Sequence, residues 1–191
     1  MLIARSTLTT LFLAGLAALT PARANEMASA TYDATSLGGG VFKYDIKLTD
    51  TGTTTIGTFW FSWVPGEGFM PTLPSSILSP AGWSDMVTNG PPPSDGYSIQ
   101  WVTTTPIMSG DSVSGYEFQS TMTPAQLASI SLIHPPQPIA TSFIFSGAPF
   151  SDPGTSFVAT PVPEPSTLGL TLLLLAALAF ACYRRHPAIE R

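Results

Sequence analysis

The pattern of hydrophobic and polar positions divides the chain into three zones. Leu8–Leu19 and Thr167–Tyr183 are uncharged apolar runs; between them, apolar residues come in short bursts punctuated by Gly and Pro. Val41–Leu48 alternates, with Phe42, Tyr44, Ile46 and Leu48 on one side and Lys43, Asp45 and Lys47 on the other. That is the period of a half-buried strand. Asp50-Thr51-Gly52 supplies a turn, and Thr54–Val64, rich in Thr and aromatics, is predicted to return as the second strand of a β-hairpin. A loop from Pro65 to Pro80 follows, with Gly66, Gly68, Pro71 and Pro74. Further strands are predicted at Gly82–Thr88, Gly96–Thr104, Ser112–Ser120, Ile139–Ser146 and Thr155–Ala159. Pro91-Pro92-Pro93, Pro106, Pro135-Pro136 and Pro149 separate them, since proline cannot serve a central strand. Thr123-Pro124-Ala125-Gln126 is the one helix start: a Thr N-cap, Pro at the first helical position and Gln at the capping-box position, with a short helix expected to about Ser131.

Six to eight short strands with regular turns predict an all-β fold, a single immunoglobulin-like sandwich with one short helix, over residues 25–160. The segment Tyr44-Asp45-Ile46-Lys47-Leu48-Thr49-Asp50-Thr51-Gly52 resembles the opening hairpin of bacterial Ig-like adhesion modules.

The N-terminal apolar run reads as a signal peptide. Arg5 is its positive region, Leu8–Leu19 its core, and Ala22-Arg23-Ala24 places small residues where signal peptidase reads them. Twelve residues are too few to span a bilayer, which needs about 20. Cleavage is expected after Ala24, giving a signal peptide at 1–24. The domain is thereby exported.

The C-terminal run is expected to be an anchor. Seventeen uncharged residues, Thr167–Tyr183, would make a helix about 26 Å long, short but usable for a thin membrane. Arg184 and Arg185 follow at once and fall on the cytoplasmic side if the domain lies outside, as the positive-inside rule asks. Before the run stands Val162-Pro163-Glu164-Pro165-Ser166, whose alternate prolines fix φ and remove amide donors, so the stretch is extended. Extended peptide beside a membrane helix is a form a membrane-embedded protease can grip. This order of parts resembles the PEP-CTERM sorting domain, over residues 161–191; the segment is also known as an ice-binding-protein C-terminal motif. The resemblance implies recognition by an exosortase, cleavage near Pro163-Glu164-Pro165, and a Gram-negative host that makes exopolysaccharide or biofilm matrix. The tail departs from the family in continuing to Ile189-Glu190-Arg191. The domain shows no regular Thr-x-Thr array of the sort a flat ice-binding face needs.

Charge then narrows the function classes. Between Asn25 and Pro163 ten carboxylates face two lysines, a net of −8 with His134 neutral. Such a surface repels phosphate backbones, so nucleic acid is not an expected partner. The one cysteine, Cys182, lies in the C-terminal run, leaving the exported domain without disulfide, thiol nucleophile or thiolate ligand. One histidine and scattered acids give no zinc spacing and no calcium loop, so no cofactor and no metal are expected. Gly110-Asp111-Ser112 resembles the nucleophile block of GDSL hydrolases, but those need a distant Asp-x-x-His, and His134 follows Ser131-Leu132-Ile133 instead. The block reads better as a turn, and no enzyme is expected.

The aromatics keep one functional edge. Phe59, Phe61 and Trp63 share one face of the predicted strand and read as core; Trp60 lies on the other. An exposed Trp60, with Trp83, could stack on sugar rings. The expectation is a non-catalytic surface or matrix protein, exported, inner-membrane anchored and then placed at the cell surface or in the matrix, with exosortase and exopolysaccharide as partners. The alternative is a carbohydrate-binding module using those exposed aromatics.

Overall fold

The computed structural model describes residues 25–89, 95–162 and 175. The signal peptide with Ala22 and Ala24, the Pro91-Pro92-Pro93 loop, and Pro163–Ser166, Arg184 and Arg185 lie outside the described residues. In chain order the elements are β1 Ala28–Gly38, β2 Val41–Asp50, β3 Ile56–Phe61, β4 Trp63–Val64, β5 Glu67–Gly68, β6 Ser75–Leu78, β7 Trp83–Asn89, β8 Tyr97–Ile107, β9 Ser112–Ser120, helix α1 Pro124–Leu127, β10 Thr141–Phe145, β11 Thr155–Val158 and β12 Thr160–Pro161. The fold is all-β with one short helix.

Two five-stranded sheets face each other. The first runs β12-β1-β2-β9-β6 and the second β11-β10-β3-β8-β7; β4 and β5 form a small ribbon. The predicted hairpin of Val41–Leu48 with Thr54–Val64 does not form. β2 pairs with β1 and β9, whereas β3 pairs with β8 and β10 in the other sheet. Residues 51–55 carry the chain across the sandwich instead of back along the strand. Sequence proximity suggested the hairpin, but burial decided otherwise. Tyr44, Ile46 and Leu48 need a facing layer, and only the second sheet supplies one.

Aromatic side chains fill the gap between the sheets. Tyr32, Tyr44, Tyr116 and Phe118 point in from the first sheet, and Phe59, Phe61 and Trp101 from the second, all fully buried. Phe59 stacks on Trp101 at 5.5 Å and meets Tyr116 edge-on at 5.4 Å; Phe61 lies 5.2 Å from Phe118. Each buried ring of this size contributes about 2–3 kcal/mol through area removed from water. Tyrosine hydroxyls are carried in with the rings. Tyr44 Oη donates to the Met122 carbonyl and Tyr32 Oη to that of Pro124 at 3.4 Å. Burial pushes the Tyr32 phenol up to about 12, and Tyr44 and Tyr116 higher still.

α1 begins as the sequence predicts. Thr123 accepts from the Gln126 amide, and the Gln126 side chain accepts from the Thr123 amide, closing the capping box. The helix stops at Leu127 rather than near Ser131, because Leu127 is its one buried residue and the Ser129 amide already closes a tighter turn onto the Gln126 carbonyl.

Candidate functional site: the C-terminal exit strand and the aromatic cleft

The chain leaves the sandwich along a defined track. β11 runs antiparallel to β10, with Val158 opposite Thr141. Ala159 N–H then donates to the Ala140 carbonyl at 3.0 Å, and β12 crosses to the first sheet, pairing in parallel with β1: Thr160 opposite Thr31, Pro161 opposite Tyr32. Val162 N–H donates to the Tyr32 carbonyl at 2.9 Å. Pro161 donates nothing, which an edge strand tolerates. The boundary expected between residues 160 and 161 therefore falls inside a strand. Val162, the first residue of the expected sorting motif, is still fastened to the sheet and partly exposed. A two-residue strand ending on proline leaves almost no period to read, so sequence gave no sign of this seam.

The aromatics are arranged differently from the expectation. Ser62 has φ of 61°. This left-handed residue resets the alternation, so Trp63 emerges beside Trp60 rather than beside Phe59 and Phe61. Trp60 and Trp63 stack with ring centroids 4.1 Å apart, and Phe143 meets Trp63 edge-on at 5.6 Å. Phe145 completes this second cluster. Trp60 is 5% exposed and Trp83 9%. They sit on opposite faces of the second sheet, for Trp83 packs inward, edge-on against Tyr116 at 5.1 Å. The shared exposed platform expected of them does not exist, because each ring's area is spent on a neighbouring ring.

A cleft of about 220 Å³ opens beside the outer cluster, lined by Trp60, Trp63, Gly66, Asn89, Asp95 and Ser98 among others. Trp60 Nε1 is buried and lacks a hydrogen-bond partner among the described residues. At the rim, Asp95 accepts from the Gly68 amide and lies 3.3 Å from His134 Nε2, while Glu67 stands 3.9 Å from His134 Nδ1. His134 is thus engaged with two carboxylates and Phe69 rather than with a nucleophile. Ser112 is elsewhere: its hydroxyl is 2.8 Å from that of Thr49, where β9 begins, and Asp111 N–H closes a turn onto Met108. The Gly110-Asp111-Ser112 block is a strand connection. Among the described residues no group of three His, Cys, Asp or Glu could hold a metal ion.

Carboxylates concentrate at the end of the sandwich where β9 starts. Asp50 is 1% exposed; burial raises its pKa, Asp111 adds to the rise, and only the Gly52 amide opposes it. Asp152 accepts from the Ser146 amide and hydroxyl, the Ser151 hydroxyl and the Gly154 amide. Burial alone would raise its pKa, but these donors hold it below the usual range; burial and Asp152 together raise that of Glu26.

Residues 161–185 match the family model of the PEP-CTERM protein-sorting motif. The match begins on β12 and ends on Arg185. The chain therefore carries the sorting signal of an exported protein handled by an exosortase. Among the described residues no helix is long and apolar enough to cross a membrane, and Thr167–Tyr183 lies almost wholly outside them. No curated protein matches the chain. Among solved structures, similarity is found to a GH20 exo-β-N-acetylglucosaminidase from Vibrio harveyi in complex with N-acetylglucosamine, at 9% identity and a TM-score of 0.39, over 71% of this chain and 18% of that one. An inactive mutant of that enzyme gives 8% identity and a TM-score of 0.37 over the same shares. The chain thus spans less than a fifth of the length of these relatives.

Proposed function

We propose that this chain is a non-catalytic surface or extracellular-matrix protein. It is held in the inner membrane through Thr167–Tyr183 with its domain outside the cytoplasm, then cut near Pro163-Glu164-Pro165 by an exosortase and passed to the cell surface or matrix, in association with exopolysaccharide. The match of residues 161–185 to the sorting motif carries this reading. Two largely antiparallel sheets closing on one aromatic core support an immunoglobulin-like adhesion role for the domain. The non-catalytic part is supported by His134, which spends its ring on Asp95 and Glu67 instead of activating a hydroxyl.

The carbohydrate-module alternative has lost its platform, since Trp60 and Trp83 are buried on different faces. The test is Glu164→Ala in a host bearing an exosortase, read by cell fractionation and intact mass. Full-length protein should accumulate in the inner membrane. Processing at the wild-type rate and site would remove the sorting reading.

A further inference from the structure

The two ends of the sandwich differ in character: carboxylates gather at the far one, while the near one, towards which the chain leaves, exposes apolar side chains and holds Glu67 and Asp95 against His134. Glu26, Asp50, Asp111 and Asp152 gather at the far end, where β9 begins. At the near end the segment from Phe118 to Ala140 contains no Asp, Glu, Lys or Arg. Apolar side chains stand exposed there instead. Leu132 is 98% exposed, and Leu37, Leu73 and Ile130 are each more than half exposed. An apolar groove of about 280 Å³ lies among them, lined by Pro71, Thr72, Met122, Ile130, Leu132 and Ile139. Leu37 sits at the tip of the β1–β2 hairpin, and Leu73 shortly precedes Ser75, which pairs with Gln119. Hydrogen bonds join this end to the exit strand: Val162 N–H to the Tyr32 carbonyl, Tyr32 Oη to the Pro124 carbonyl, and Ala140 N–H to that of Leu127.

We propose that this pole rests on the surface of a phospholipid bilayer while the chain is anchored, with Leu132, Ile130, Leu73 and Leu37 entering the headgroup region. The inference rests on the anchored reading above. Chain length argues for lipid over other occupants. Only Pro163-Glu164-Pro165-Ser166 separates Val162 from Thr167, a reach of about 14 Å when extended. With Val162 fastened to the sheet edge, so short a tether brings the near end to the bilayer and leaves no room to turn the far end towards it. Charge argues the same way. A domain of net charge −8 is repelled by anionic lipid, and the surface formed by residues 118–140, which holds no Asp, Glu, Lys or Arg, is the part that approaches at least cost. Clustered exposed leucines and isoleucine gain by leaving water at such an interface, a gain that scales with apolar area and not with salt.

Full-length protein in phosphatidylcholine vesicles tests this with an environment-sensitive NBD label. The label is placed through Leu132→Cys, Leu73→Cys or, at the far end, Met108→Cys, each combined with Cys182→Ser. A further sample carries it on native Cys182 of the otherwise unaltered chain. All three introduced positions are exposed, so the core is left intact. The near-end labels should emit blue-shifted and be quenched by doxyl-labelled lipid, unchanged by high salt, while the Met108 position emits as in water. Quenching at Cys182 with water-like emission at both near-end positions would overturn this orientation and leave the anchor standing. No quenching at Cys182 would overturn the anchor and the orientation together. A blue shift at Leu132 without lipid quenching would mean that protein covers the pole, a second copy or the chain's own apolar segment, and would overturn the lipid assignment.

Discussion

The two outward faces of the sandwich are built on opposite plans. On the first sheet, Lys43, Asp45, Lys47 and Glu117 face outward while their neighbours Tyr44, Ile46, Leu48, Tyr116 and Phe118 face in. On the second, β3 and β10 are buried along their whole lengths, because Trp60, Trp63, Phe143 and Phe145 pack against one another on the outside. Phe150, itself largely exposed, lies over them, 5.3 Å from Phe145 and 6.0 Å from Trp63. One sheet thus has a wet face and a dry one, and the other is dry on both along β3 and β10. A sheet can escape water on its outer side without a further layer when its own side chains interlock there.

Adjacent residues on β3 measure the difference most directly. Phe59→Ala opens a void among Trp101, Tyr116 and Phe157, and about 4 kcal/mol of stability should be lost. Trp60→Ala removes the ring stacked on Trp63 and should cost about 3 kcal/mol, somewhat less because the exposed edge of the cluster can collapse. Denaturant titration of both variants checks this. A loss under about 1 kcal/mol for Trp60→Ala would reduce the outer cluster to surface decoration.

The loop that brings Phe150 over the cluster depends on Gly154. Its φ is 63°, and a Cβ there would strike the Phe143 ring and the Ile144 carbonyl. Gly154→Ala should therefore cost about 2–3 kcal/mol through strain and displaced packing. Tryptophan emission should shift red as Trp60 and Trp63 gain water. An unshifted spectrum would mean that the loop does not seal the outer face.

How much of this was legible in sequence follows the same division. Val41–Leu48 alternates visibly because its outer face is wet, and Ser112–Ser120 was placed at its observed limits for the same reason. The helix start was legible because capping is local chemistry. The Thr54–Val64 stretch misled, because aromatics occur on both parities and Ser62 shifts the register with nothing in its identity to announce it. β1 was missed outright. Its inward residues are Ala30, Tyr32 and Ala34, and two small side chains give too little hydrophobic signal to mark an eleven-residue strand. Of the functional features, the sorting motif was readable since it is linear. Its attachment to β1 was not, because that pairing joins residues about 130 apart in sequence.

Asp152 offers a pH-dependent way to sharpen the contrast. Asp152→Asn keeps the size but weakens four charge-assisted contacts and should cost about 2 kcal/mol near neutral pH. The group's folded pKa lies below its unfolded one, so its stabilisation is present above the unfolded value and fades as pH falls through the folded value. The difference between wild type and variant should therefore shrink in acid. A gap that grew on acidification would reverse the assignment.

The smallest effect belongs to the wet face. Lys43 Nζ lies 3.2 Å from Glu117, on a row where Asp33, Asp45 and Glu117 stand side by side in register. The lysine's contribution is more than one pair, since it offsets three neighbouring carboxylates, yet solvent reaches the row and screens it. Lys43→Ala should lose about 0.5–1 kcal/mol at low ionic strength and almost nothing at high salt. Such salt dependence is what separates this face from the other, where Trp60→Ala should lose the same stability in any salt. If Lys43→Ala proved as costly as Trp60→Ala and indifferent to salt, the first sheet would have to be covered in solution, and the contrast between a wet and a dry outer face would fail on its wet side.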